Sequence, residues 1–178
     1  MSAVSPLNAL QIVASEITCS LTVDRHDLEG ARAALAAPTQ RWFTTGQGRS
    51  GLVAAMVAMR LMHLGHDAHL VGEATAPSVR AGDGLILFSR SGTTPITVAQ
   101  AQTASAEGAT VMAVTENADS PLAGAAKVVL RVPAGPSQQF GGSRFEQAAL
   151  VLFDGIMFSL APSPESQRTM QYRHDNLH

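Results

Sequence analysis

Apolar positions along this chain follow two different periods. Leu7, Leu10, Val13, Ile17 and Leu21 recur at steps of three and four, the period of a helix that buries one face. A second helix is predicted over residues 27–36, with Leu28, Ala31 and Leu35 on one side, Asp24 as N-cap and Pro38 as its stop. Short apolar runs then alternate with longer helical ones. Strands are predicted over residues 41–45, 68–71, 84–88, 110–115 and 128–132. Leu85, Ile86, Leu87 and Phe88 are four consecutive apolar residues, the pattern of a strand buried on both faces of a parallel sheet. The helix after the first strand carries Leu52, Val53, Met56, Val57, Met59 and Met62, apolar round most of its circumference, and stops at Gly65. Burial on more than one side is expected of it, in an adaptable core or a subunit contact. Residues 72–82 read as an irregular connection with room for a short turn of helix. A helix carried by Ile96, Val98, Ala99 and Ala106 ends at Gly108, and a short one starts at Pro121. The last long helix starts at Ser143, with Phe145, Ala148, Ala149, Leu152, Phe153, Ile156 and Met157 as its buried face. The alternation predicts an α/β fold, a doubly wound five-stranded parallel sheet flanked by helices in a flavodoxin-like sandwich. A single domain is expected over residues 1–178, with N-terminal helices over 5–37 and a polar C-terminal tail over 162–178.

Two loops stand where strand ends meet helix starts. They are Gly46-Gln47-Gly48-Arg49-Ser50-Gly51 and Ser89-Arg90-Ser91-Gly92-Thr93-Thr94. The first N–H groups of a helix are unpaired and carry positive partial charge, and neighbouring hydroxyls add donors that can wrap a phosphate. From neighbouring strands, the two loops form one phosphate pocket. Capping alone would account for one of Ser89, Ser91, Thr93 and Thr94, but not for four hydroxyls within six positions.

Composition narrows the chemistry. With 178 residues, 46% of them hydrophobic, the chain buries one ordinary core. The formal net charge is −2, and there is one Trp and one Tyr, which gives a nucleic-acid surface no support. No apolar run is long enough to span a bilayer and the N-terminus lacks the basic start and apolar centre of a signal peptide, so a cytoplasmic protein without membrane contact is expected. Cys19 cannot form an internal disulfide and is expected as a small core residue rather than a nucleophile. The histidines lack a metal-ligand spacing, and neither a metal nor a cofactor is implied. Gly46, Gly48 and Gly51 do match the dinucleotide pattern G-x-G-x-x-G, with Glu73 near the ribose position. A phosphomonoester is the better reading, because it explains both loops and a dinucleotide only the first.

These loops, with Ala58-Met59-Arg60-Leu61-Met62-His63-Leu64-Gly65, Val71-Gly72-Glu73, Phe145-Glu146-Gln147 and Arg173-His174-Asp175-Asn176-Leu177, resemble the sugar isomerase (SIS) domain family. Within it the similarity is to the 6-phospho-3-hexuloisomerases. The resemblance runs from about residue 46 to the C-terminus. It departs at Arg90, where the family usually has Gly, and at His178, where it has an acid. A side chain at position 90 would either add a cation to the phosphate site or fill space meant for the sugar.

The resemblance implies interconversion of a 3-hexulose 6-phosphate and fructose 6-phosphate through an enediol, in the ribulose monophosphate pathway of formaldehyde fixation. It assigns the base to Glu146, although an acid in a first helical turn is also what the helix dipole favours. His63 reads equally as an acid that opens a cyclic sugar and as a packed histidine at a helix end. The expected substrate-binding set is Gly48, Arg49, Ser50, Ser89, Arg90, Ser91, Gly92, Thr93, Thr94 and His174, with His174 reaching a neighbouring subunit's site. Arg49 offers paired donors to the phosphate or to an enediolate oxygen. A homotetramer built as a dimer of dimers is implied, and functional pairing with a 3-hexulose-6-phosphate synthase is left open. The rival readings are another aldose–ketose isomerase on the same fold, a non-catalytic sugar-phosphate sensor, and an oligomerisation module.

Overall fold

The computed structural model describes residues 4–38, 41–174 and 176. Its strands are β1 (Trp42–Gly46), β2 (Ala68–Leu70), β3 (Gly84–Phe88), β4 (Thr110–Thr115) and β5 (Val128–Arg131). They form one sheet in the order β2-β1-β3-β4-β5, every pair parallel. The order reverses between β1 and β3, the neighbours that carry the two Ser/Thr loops, and Gly46 lies in register with Phe88 at the strand ends. Crevices at such a reversal are where open α/β sheets bind ligands.

The helices are α1 (Pro6–Ser20), α2 (Arg25–Ala36), α3 (Arg49–Leu64), α4 (Pro95–Ala106), α5 (Pro121–Gly124), α6 (Ser143–Leu160) and α7 (Pro164–Tyr172). Strand β3 explains how they divide between the faces. Ile86 and Phe88 point into a core built with Val53, Val57 and Leu61 of α3, Phe145 and Phe153 of α6, and Leu35 of α2. Leu85 and Leu87 point the other way, against Ala101 and Ala104 of α4 and Leu122 of α5. The doubly wound sandwich expected from alternating periods is therefore observed. α6 buries all seven residues expected on its inner face. Asp24 caps α2 by accepting the His26 N–H, and Gly65 ends α3 in the left-handed conformation at φ 102°.

Three expectations need correction: the helical turn within residues 72–82, the packing face of α1 and the burial of Cys19. No helical turn forms between β2 and β3. Within the polar tail, residues 164–172 fold as α7. It starts on a capping box between Ser163 and Ser166 with Pro164 in the first turn, so local hydrogen bonding rather than an apolar period defines it. The expected packing face of α1 is half open, with Leu7 and Leu10 exposed and Val13, Ile17 and Leu21 partly buried, and Cys19 is exposed on that helix rather than in the core. Within one chain α3 buries one side, with Leu52, Met56, Met59 and Met62 exposed opposite Val53, Val57 and Leu61, which leaves the subunit contact expected of it open. Among the described residues no single helix is long and apolar enough to cross a membrane.

Candidate active site

The first loop is shaped by how closely β1 approaches α3. A side chain on Gly46 would meet the Ser50 backbone at 2.7 Å, and one on Gly51 would meet the Gly46 carbonyl at 2.7 Å. Gly48 occupies the N-cap of α3 and cannot cap it with a side chain. Arg49 and the buried Ser50 are therefore the first helical residues at an N-terminus whose N–H groups face the crevice without a side-chain partner.

The second loop is braced from within. Ser89, itself buried, bonds the Thr94 hydroxyl at 3.0 Å and accepts the Gly92 N–H at 3.2 Å. Ser91 bonds the Thr93 hydroxyl at 2.9 Å and accepts the Thr93 N–H at 3.2 Å. Gly92 turns at φ 66° against Ser120, whose Oγ would lie 2.0 Å from any added Cβ, so no side chain fits there. Thr94 is the N-cap of α4 but gives it no side-chain hydrogen bond. Two uncapped helix N-termini thus flank the β1/β3 crevice, ringed by hydroxyls, an arrangement suited to an anion.

Glu146 arrives from the first turn of α6. Its Oε2 accepts Arg49 Nε at 2.7 Å, joining the expected base to the expected oxyanion donor across 97 residues of sequence. Its side chain is 12% exposed and that of Arg49 is 59% exposed, so the pair opens to solvent on the arginine side. Beside it lies a cleft of about 190 Å³ walled by Arg49, Leu52, Met56, Glu146, Gln147 and Leu150. Arg90 turns elsewhere: its Nε donates to Glu116 at 2.9 Å and its Nη1 to the Gly141 carbonyl at 3.4 Å.

His63 and His174 meet each other rather than this crevice. Their rings stack with centroids 5.2 Å apart and planes 15° off parallel. The Arg173 Nη1 donates to the His63 carbonyl at 3.1 Å. Burial, then the Arg60 guanidinium and the His174 ring, push the His63 pKa below its ordinary value, which keeps the ring neutral at pH 7. Both lie at the C-terminal end of α3, which at 1.5 Å per residue is about 21 Å along the helix from Arg49. Of the C-terminal motif, Asp175 and Leu177 lie outside the described residues, as does His178.

A larger cavity, about 540 Å³, lies between α4 and the β2–β3 connection, walled by Phe43, Val71, Pro77, Leu85, Ile96 and Ala104. Glu73, Gln100 and Thr103 also line it, but no residue of either Ser/Thr loop does, so it lacks the paired helix N-termini that suit the β1/β3 crevice to an anion. Three features of the site carried no sequence signal: the Arg49–Glu146 pair, the stacked histidines, and the tether from Arg90 to Glu116. Each joins residues that are neighbours only once the sheet is assembled.

Comparison with known proteins agrees with this fold. The SIS domain family model matches residues 36–154. A 3-hexulose-6-phosphate isomerase from Mycobacterium gastri is 39% identical over 95% of each chain. One from Bacillus subtilis is 37% identical, covering 76% of this chain and 78% of its own. A solved structure from Methanococcus jannaschii, for which the molecular function of a 3-hexulose-6-phosphate isomerase was inferred, superposes with TM-score 0.81 at 29% identity, covering 96% of this chain and 99% of its own. This chain therefore belongs to the SIS domain family and, within it, groups with the 3-hexulose-6-phosphate isomerases.

Proposed function

We propose that Glu146 carries the proton in the isomerisation of 3-hexulose 6-phosphate to fructose 6-phosphate. The observation that carries this reading is the meeting of Glu146 and Arg49 beside two uncapped helix N-termini. The substrate phosphate binds between those N-termini, with Ser50, Ser91, Thr93 and Thr94 as hydroxyl donors, Ser89 bracing the loop from within, and Gly48 and Gly92 leaving room for close approach. Glu146 removes the proton from C2 of the 3-ketose, and the electrons of that C–H bond form the 2,3-enediolate. The same carboxyl returns the proton to C3, while the proton on the C2 oxygen passes to the C3 oxygen, leaving the ketone at C2. Arg49 holds the carboxylate in place and donates to the enediolate oxygen, where charge develops.

The ring-opening and oxygen-to-oxygen proton transfers fall to His63 and His174 of a second copy. The cleft beside Glu146, about 190 Å³, is smaller than the roughly 300 Å³ at which ligand pockets begin, so a second wall is needed. Arg49, Leu52, Met56 and Met59 share one exposed face of α3, which ends at the buried His63 and the His174 stacked on it, and Arg49 and His63 are equidistant in sequence from Met56. An antiparallel contact about a twofold axis at Met56 covers the exposed stripe and sets each chain's His63 beside the other's Arg49. This is the dimer from which a tetramer is built.

Glu146→Gln tests the proton route. It removes the basic group and keeps the size of the side chain, so turnover falls by at least 1000-fold while affinity for fructose 6-phosphate stays within a few-fold. Retained turnover would remove Glu146 as the base.

A further inference from the structure

α1 brings to the site a carboxylate that the isomerisation does not use. Between β5 and α6 the chain runs through a strap, residues 132–142, in which Gly135, Gly141 and Gly142 alternate with Pro133 and Pro136 and which forms no helix or strand of its own. Glu16 fastens its middle. Oε1 accepts the Gln138 backbone N–H at 2.7 Å, and Oε2 accepts the Ser137 hydroxyl at 2.7 Å and Gln139 Nε2 at 2.8 Å. The Gln138 amide, then the Gln139 and Ser137 side chains, hold the Glu16 carboxyl below its ordinary value, so it stays ionised at neutral pH. The same helix supplies a second anchor through Ser20, which accepts Arg144 Nε at 2.7 Å while Arg144 Nη1 donates to the Pro136 carbonyl at 2.8 Å.

The strap ends directly beneath the reacting carboxyl. Gly142 is the N-cap of α6 and its carbonyl accepts the Glu146 N–H at 3.1 Å. A methyl group on Gly142 would lie 2.9 Å from Glu146 Oε1, so the carboxyl lies back over the strap's last residue. The course of the strap therefore sets how much room Glu146 has between Arg49 and a bound sugar.

We infer that Glu16 is a positioning residue for the isomerisation, holding the strap so that Gly142 supports the Glu146 carboxyl at the reacting carbons. This rests on the reading of Glu146 as the base. A purely architectural Glu16 would serve stability alone, whereas a positioning Glu16 acts on the chemical step.

The test compares Glu16→Ala and Glu16→Gln with the wild-type enzyme and with Glu146→Gln, measuring kcat, KM for fructose 6-phosphate, and thermal unfolding. A displacement of about 1 Å at the base costs roughly 100-fold in rate, so Glu16→Ala is expected to lose about that factor in kcat. Its KM should stay within about threefold, because the phosphate loops that dominate binding are untouched. Glu16→Gln keeps an acceptor for the Gln138 amide but sets an NH₂ against the other two donors, and should fall between the two. Wild-type kcat in Glu16→Ala would overturn the proposal. So would loss of kcat only in parallel with a collapse of the melting temperature. Should Glu16→Ala fail to fold, Ser137→Ala removes a single strap donor and must still lower kcat at unchanged KM. The two failures are separable: turnover by Glu146→Gln removes the base assignment, whereas an inactive Glu146→Gln beside a fully active Glu16→Ala removes only the clamp.

Discussion

Among single residues, the hydroxyls of the second loop divide the work most sharply. Ser89 is buried and bonded to Thr94 and to the Gly92 amide, so it shapes the loop. Ser91 is exposed, and among the described residues its hydroxyl bonds Thr93 alone, which leaves it able to turn to a phosphate. A hydrogen bond to a charged group contributes about 1.5–3 kcal/mol, so Ser91→Ala should raise KM by roughly tenfold or more with little change in kcat. Unchanged KM would show that this hydroxyl serves the turn alone. That four hydroxyls gather here was legible in the sequence, because Ser and Thr beside a Gly and before a helix have few other uses. Which of them is spent on the loop itself was not, since that depends on how β3 meets α4. Arg90 illustrates the same limit: two uses were open for its side chain, a cation for the phosphate or bulk in the sugar's space, and its observed pairing with Glu116 and Gly141 is neither.

At the level of elements, α3 is the most informative. Its all-round apolar character was readable as double burial, yet a single chain covers only one side. The exposed Leu52, Met56 and Met59 lie on the face that runs from Arg49 towards His63, so the proposed twofold contact would tie association to catalysis. Met56→Glu would set two carboxylates against each other on the proposed twofold axis. It should yield a smaller species by sedimentation and a loss of activity of at least tenfold, as expected when the histidines no longer reach the site. An unchanged assembly with full activity would move the contact elsewhere. α1 and α7 teach the opposite lesson. The apolar period of α1 predicts a packing face that is half open, and α7 has no buried residue at all. Periodicity reports that a face exists, not what covers it, and a helix defined by its cap escapes periodicity altogether.

For the molecule as a whole, the sheet and its two layers followed from the alternation of periods, because strands buried on both faces tolerate little besides apolar residues. The position of the site followed from topology: two loops after adjacent strands at the order reversal meet whatever lies between them. Long-range pairings were out of reach, among them Arg49 with Glu146, His63 with His174, and Glu16 with the strap. Each is set by how helices seat on the sheet. The central claim is proton transfer through an enediol on a sugar held by its phosphate. Carbon NMR of fructose 6-phosphate incubated with the enzyme in deuterated buffer tests it most directly. The account predicts deuterium at C3 of fructose 6-phosphate and at C2 of the 3-hexulose 6-phosphate formed from it, and none with Glu146→Gln. Saturable binding of the sugar phosphate with neither turnover nor deuterium uptake by the wild-type protein would contradict it, and would make this fold a sensor of the same ligand.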